Sequence, residues 1–193
     1  PINQLTMPEE EKTIKDFEQL TGLLKKKEIC KRTVVVWPEE DHTQEAILQA
    51  THEGFISPIL VCSERTKKIF ADREALQAVT AENPEEASRI AVKIIREQKA
   101  DIIMKGFVNT DVLLRAILDK EHGILPRGAV LTHITVTKIP EYPKLLFFTD
   151  AAVIPYPTEE QRKAQIKYVI DFCHAFNIDC PKISLIHCSE KVD

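Results

Sequence analysis

The residues best suited to chemistry lie in one stretch, Ala100-Asp101-Ile102-Ile103-Met104-Lys105-Gly106-Phe107-Val108-Asn109-Thr110-Asp111, which runs on to Arg115. A lysine, a glycine, two helix-capping side chains and an arginine suit the binding of an anion. Free N–H groups at a helix start, together with the helix dipole, attract negative charge. The planar fork of an arginine can hold two phosphate oxygens. Lys105 would stand at the carboxyl end of a strand, where ligands bind in open parallel sheets. Alternatives stay open for both cations. A lysine at a strand end is often merely solvated, and Asp111 and Asp119, four residues either side of Arg115, would make it a surface ion-pair arginine.

Asp150 is the second candidate. It follows the apolar run Leu145-Leu146-Phe147-Phe148, which puts a carboxylate at the rim of a buried strand, either as a functional group or as a cap. His133, alternating with apolar neighbours in Thr132-His133-Ile134-Thr135-Val136, reads as a core histidine. Cys173, His174, Cys180, His187 and Cys188 invite a zinc site. As a strand, however, residues 182–187 span roughly 16 Å, which keeps Cys173 and His174 away from His187. The spacing matches no zinc pattern either, so no metal is expected. Neither G-x-G-x-x-G nor G-x-x-x-x-G-K occurs, and no nucleophile triad can be picked out by spacing.

An alternation of strands and helices must position these residues. Residues 1–8 read as a disordered lead-in. A helix over 9–27 carries Ile14, Phe17, Leu20, Leu23 and Leu24 at helical spacing, and its Lys25-Lys26-Lys27 tail complements the dipole. A strand over 33–37 stops at Pro38, and a helix from the acidic loop Glu39-Glu40-Asp41 reaches His52 before Gly54. A strand over 59–62, a short helix over 64–70 and a weak strand over 76–80 follow. Asn83-Pro84-Glu85-Glu86 is a helix start with cap, first-position proline and capping box, and this helix runs to Gln98. The apolar run at 102–104 then reads as a parallel strand covered on both faces, with Asn109 capping a helix to Leu118. The pattern predicts a doubly wound, mostly parallel α/β sheet with right-handed crossovers.

Beyond Leu118 the pattern changes. Strands over 129–139 and 144–148 around Pro140-Glu141-Tyr142-Pro143 predict an antiparallel hairpin leading out of the first sheet. Thr158 and Gln161 form a capping box for a helix to Phe176, and residues 182–186 read as a last strand. Residues 1–125 are therefore expected to be a first α/β domain. Residues 126–193 are expected to be the hairpin and the start of a second, incomplete one.

At 193 residues, 44% hydrophobic and 29% charged, the chain holds a large α/β domain, or one domain and part of another. A net charge of -4 argues against a nucleic-acid surface. No run approaches the ~18 apolar residues of a membrane span, and the opening residues are acidic, unlike a signal peptide. Five scattered cysteines fit reduced thiols better than a disulfide framework. A cytoplasmic protein is expected, touching neither nucleic acid nor membrane.

The stretch from Ala100 to Leu118 resembles the phosphate acetyl/butyryl transferases. Leu131-Thr132-His133-Ile134 is similar to that family's leucine-serine-histidine segment, with Thr132 in place of the serine. Leu146-Phe147-Phe148-Thr149-Asp150-Ala151-Ala152-Val153, Glu160-Gln161 and Pro181-Lys182-Ile183-Ser184-Leu185 follow in family order. The resemblance implies a fold of the isopropylmalate dehydrogenase type. The implied reaction is reversible transfer of a short acyl group between coenzyme A and phosphate, with coenzyme A as a substrate and no cofactor. By resemblance Lys105, Asn109, Thr110, Arg115, Thr132, His133 and Thr149 bind substrate, and Asp150 is the catalytic carboxylate. The expected partners are acyl-CoA, phosphate and further copies of the chain in a homo-oligomer. Two departures bear on this. Ile154-Pro155-Tyr156 stands where the family has an asparagine, and the family's chain continues past the position of Asp193 with residues implicated in catalysis. A fragment of such an enzyme is expected; the alternative is a catalytically silent module that keeps the fold and binds coenzyme A, an anion or a partner.

Overall fold

The computed structural model describes residues 14–73 and 76–186. The expected lead-in over 1–8, the first residues of the helix expected over 9–27, and His187 and Cys188 lie outside the described residues. By density of contacts the described chain forms two units, one of residues 21–127 and the other of the residues up to Leu20 with those from Gly128 onward.

In the first unit, valine-rich β1 (Lys31–Val36) is the central strand. It pairs in parallel with β2 (Ile56–Cys62) on one side and β4 (Ile102–Lys105) on the other, and β2 pairs in parallel with β3 (Gln77–Thr80). The order is β3-β2-β1-β4, so the direction of progress reverses between β1 and β4. Alternate residues face opposite sides of the sheet. Val34, Val36 and Val61 pack with Ala87, Ala91 and Ile94 of α4 (Pro84–Arg96) and with Leu113 of α5 (Thr110–Ile117). Val35, Leu60 and Cys62 pack with Ile47 of α2 (Asp41–His52) and with Phe70, just past α3 (Glu64–Ile69). Helices thus cover both faces. Each fully buried valine or leucine contributes roughly 1.5–3 kcal/mol relative to exposure.

Local chemistry accounts for the helix ends and for several differences from expectation. Asn83 Oδ1 accepts from Glu86 N–H at 2.9 Å. The Glu86 carboxylate accepts from Glu82 N–H at 2.7 Å instead of completing a box with Asn83. Among the described residues α1 spans Phe17–Lys26, and Asp16 Oδ1 accepts from Gln19 N–H at its start. Its Lys25, expected only to complement the dipole, pairs with Glu53 at 2.9 Å. β4 is an edge strand in the described sheet; its Ile103 and Met104 pack against the cores on opposite faces, as expected, while Ile102 near its start is 44% exposed. Arg32 grips Asp101 through Nε and Nη2 and donates from Nη1 to the Gln98 carbonyl, which ties the start of β4 to β1.

In the second unit the hairpin is antiparallel but short, β5 (Thr135–Thr137) against β6 (Leu146–Phe148). Residues 129–134 are not strand, and the His133 amide there donates to the Asp150 carboxylate instead of a ladder partner. α6 (Glu159–Ala175) begins with the expected capping box of Thr158 and Gln161. Phe147 of β6 meets Phe172 of α6 and the adjoining Phe176 edge-on at 6.0 and 5.4 Å. The strand expected over 182–186 is absent, since those residues have no ladder partner among the described residues. No described helix is long and apolar enough to cross a membrane.

Gly106 joins the end of β4 to the end of β1. Its N–H donates to the Val36 carbonyl at 2.9 Å, and Phe107 N–H donates to the Trp37 carbonyl at 2.8 Å. A Cβ on Gly106 would lie 2.7 Å from each of those carbonyl oxygens, both main-chain atoms that cannot swing aside. Gly106→Ala is therefore expected to lower the unfolding free energy by about 1–3 kcal/mol, the usual scale of overpacking, as read from urea denaturation. A change below about 0.5 kcal/mol, the level of an uninvolved surface substitution, would show that the turn is not held as described.

Candidate functional site

The turn from Lys105 to Thr110 is built at the carboxyl edge of the parallel sheet, beside the reversal between β1 and β4. Trp37, at a φ of 56, ends β1 and turns its carbonyl to Phe107. The Lys105 ammonium folds back onto the turn, donating to the Val108 carbonyl at 2.9 Å and the Gly106 carbonyl at 3.3 Å. Two of its three protons are thus committed to main chain. Asn109 occupies the N-cap position of α5, but its side chain makes no capping bond, contrary to expectation. Its ψ of 135 leaves the exposed amide group free of the helix. The first-turn amides of Thr110 and Asp111 consequently have no side-chain acceptor among the described residues. Such an edge can hold an anion through N–H groups and the helix dipole.

Arg115 is not drawn to that edge. It lies further along α5, paired to Asp111 at 2.5 Å, with both side chains exposed. Asp119, the other expected partner, instead accepts from the amides of Glu121 and His122. Arg115 opens onto a groove of about 990 Å³ between α4 and α5, where Arg89, Lys93 and Arg96 also lie.

In the other unit the site is a carboxylate enclosed by donors. Asp150 Oδ2 accepts from the Thr132 hydroxyl at 2.6 Å and from His133 N–H at 3.0 Å. Its Oδ1 accepts from Ala152 N–H at 2.9 Å and Val153 N–H at 2.8 Å. Four donors match the roughly four lone-pair positions of a carboxylate. Burial works against the charge here. The Thr132 hydroxyl and the amides of Val153, Ala152 and His133 outweigh it, and hold the carboxyl well below the usual carboxylate range. Asp150 is thus a fixed negative centre at neutral pH, not a base poised to take a proton. Thr149 Oγ1 lies 3.2 Å from Thr132 Oγ1, so Thr132, Thr149 and Asp150 form one group. The His133 side chain is exposed, not a core histidine; its Nδ1 is 3.3 Å from Thr135 Oγ1.

Two further polar residues, one joining the Asp150 group and one bracing the first unit, carry little sign in the sequence. Gln165, buried on α6, donates to Thr132 Oγ1 at 3.2 Å. A visible sign was a glutamine on the same helical stripe as Val169, Phe172 and Phe176. Glu39 accepts from the Ser63 amide and hydroxyl and from the Thr66 hydroxyl, at 2.7–2.8 Å, and so anchors the loop after β1 to the start of α3. Nothing in its acidic surroundings, Glu39-Glu40-Asp41, set it apart.

Comparison with known proteins is consistent across sequence and fold. The family model described as "Phosphate acetyl/butaryl transferase" matches residues 74–193. A phosphate butyryltransferase of Clostridium beijerinckii is 33% identical over 177 residues, covering 89% of this chain and 58% of that protein. A phosphate acetyltransferase of Thermotoga maritima is 27% identical over 168 residues, covering 84% of this chain and 56% of that protein. The crystal structure of a branched-chain phosphotransacylase from Enterococcus faecalis superimposes with a TM-score of 0.70 at 21% identity, covering 84% of this chain and 58% of that one. The chain spans less than two thirds of the length of each.

Asp150→Asn is expected to destabilise the protein near neutral pH. An amide cannot accept from all four donors, and a donor left unpaired costs about 1–3 kcal/mol. The pH dependence follows from the lowered carboxyl. A group with a depressed folded value contributes its stability above the unfolded value, near 3.9, and loses it as pH falls toward the folded value. The stability gap between wild type and Asp150→Asn should therefore be widest at neutral pH and narrow below about pH 4. Urea midpoints across pH test this, and a gap that is constant with pH would refute the charged, donor-enclosed Asp150.

Proposed function

Because the chain belongs to the phosphate acetyl/butyryl transferase family, we propose that it takes part in reversible transfer of a short acyl group, butyryl or similar, between coenzyme A and inorganic phosphate. A phosphate oxygen forms a bond to the acyl carbon as the carbon–sulfur bond breaks, and the proton of hydrogen phosphate ends on the sulfur, giving an acyl phosphate and the free thiol of coenzyme A. Coenzyme A is a substrate, and neither a metal nor a further cofactor is invoked. Since the chain spans 58% of the Clostridium beijerinckii protein, the complete reaction is proposed for a protein that carries the remaining length as well.

The observation that carries this reading is the N-terminal edge of α5. The amides of Thr110 and Asp111 and the side chain of Asn109 lack side-chain partners there, beside the switch point of a parallel sheet. Both reactants are anions, and holding them against each other is the larger part of what such a site must do. In this reading Asn109, Thr110 and Lys105 bind phosphate oxygens, with Lys105 also bracing the turn. Arg115 binds a charged group of coenzyme A or phosphate. Thr132, His133 and Thr149 contact substrate, and Asp150 orders them. The same proposal takes the sheet as part of a doubly wound fold of the isopropylmalate dehydrogenase type. It also takes the boundary near residue 125 as that between a first domain and the start of a second. Self-association into a homo-oligomer and a cytoplasmic location belong to it too.

The test is phosphate-dependent thiol release from butyryl-CoA by a protein carrying the remaining length. Release equal to a phosphate-free control, with acetyl-CoA as well, would overturn the reading in favour of a catalytically silent binding module. Residues 1–193 alone are expected to show no phosphate-dependent release. Arg115→Ala, which loses only an exposed ion pair, should change stability by no more than about 1 kcal/mol. If Arg115 contacts a substrate phosphate, the same substitution should weaken apparent affinity for phosphate or coenzyme A by about tenfold or more, corresponding to a charge-assisted bond of roughly 1.5–3 kcal/mol. Unchanged affinity for both would assign Arg115 to its pairing with Asp111 alone.

A further inference from the structure

Gln165 sits in the middle of α6 with 5% of its surface exposed. A buried amide is costly unless bonded, and its Nε2 bonds the hydroxyl of Thr132. Three groups meet at that one oxygen: Gln165 Nε2 at 3.2 Å, Thr149 Oγ1 at 3.2 Å and Asp150 Oδ2 at 2.6 Å. A hydroxyl has one proton and two lone pairs, and an ionised carboxylate can only accept. The Thr132 proton therefore goes to Asp150. Both lone pairs of Thr132 are then left for the other two groups, so Thr149 donates its hydroxyl proton and Gln165 donates its amide. Turning the Gln165 amide over would set its carbonyl oxygen against an oxygen with no proton to give. The junction thus has one consistent arrangement, directed from Gln165 through Thr132 to Asp150. Asp150 in turn holds the main chain of His133, Ala152 and Val153.

We infer that Gln165 is a positioning residue of the site, acting through Thr132 to aim the Asp150 carboxylate and, with it, the turn that presents His133. The assignment of this role to a reaction rests on the acyl-transfer reading above. The geometry of the junction does not. Gln165 touches no reacting group in this account, and it acts by donating to the Thr132 oxygen whose proton goes to Asp150. The serine that the resembling family has in place of Thr132 would preserve the junction, because only the hydroxyl is used. Of the residues bonded to Asp150, only His133 has a titratable side chain, and it contributes its amide.

The experiment follows the amide resonances of His133, Ala152 and Val153 in residues 1–193 as pH is lowered, since these three report the ionisation of Asp150. Gln165→Leu keeps the approximate volume and removes the donor, so the three amides should titrate at higher pH than in wild type. Thr132→Val should give a larger shift in the same direction, and Thr132→Ser none. The Thr132→Val/Gln165→Leu pair should shift no further than Thr132→Val alone, because the two act in series. A Gln165→Leu protein whose melting temperature falls while the three titrations stay at wild-type pH would overturn the inference and leave Gln165 as filling only. Should Gln165→Leu not fold, equal titrations in Thr132→Ser and Thr132→Val would overturn it equally. In a protein carrying the remaining length, Gln165→Leu should lower kcat by about tenfold or more while the KM for phosphate moves less, as misplacement of a site predicts. If the wild type of that protein shows no acyl transfer, the functional reading fails, and the amide titrations still decide the junction.

Discussion

Withdrawing a carboxylate from water is unfavourable unless protein donors replace the water, and the local structure around Asp150 follows from that requirement. Its two oxygens draw in the Thr132 hydroxyl and the amides of His133, Ala152 and Val153. Meeting that demand commits the main-chain N–H of His133, and the hairpin pairs only Thr135–Thr137 against Leu146–Phe148. It also explains a polar residue on the inward stripe of α6. The buried Gln165 amide has a partner there, the oxygen of Thr132, whose proton goes to Asp150.

The other unit meets a different need by the same means. Where β1 and β4 end side by side, the carbonyls of Val36 and Trp37 are met by the amides of Gly106 and Phe107, and the close approach excludes any side chain at residue 106. Lys105 is bound back to carbonyls of its own turn, and Arg115 to Asp111. The two cations that look most like ligand-binding groups are therefore largely engaged within the protein. What stays open at this edge is the uncapped start of α5. Recognition built on main-chain N–H groups is already aligned before a ligand arrives, since no long side chain has to be ordered to form it. That suits the holding of an anion.

Much of this architecture was legible in the amino-acid sequence, for local reasons. The valine run of β1, the Asn83-Pro84 start of α4 and the Thr158/Gln161 box of α6 each act over a few residues, so their outcomes can be read from neighbours along the chain. The alternation of strands and helices implied a parallel sheet, because parallel strands need crossovers. The stretch around Lys105 and the position of Asp150 could likewise be picked out from residue type and context. Tertiary structure decided the rest. Whether Ile102 lies inside or at an edge depends on which strands flank β4, and no local pattern carries strand order. Asn109 has the residue type of a helix cap, yet in the folded chain its side chain makes no capping bond. Thr132, which meets both Asp150 and Gln165, lies 18 and 33 residues from them along the chain, and hydrogen bonds across such distances leave no periodic trace in sequence. Residue types along the chain thus determined where helices and strands could form and which groups could carry charge. Only the folded arrangement decided which of those charges were neutralised by the protein itself and which donors were left for a ligand, because that depends on atoms brought within 3 Å by packing, not by succession.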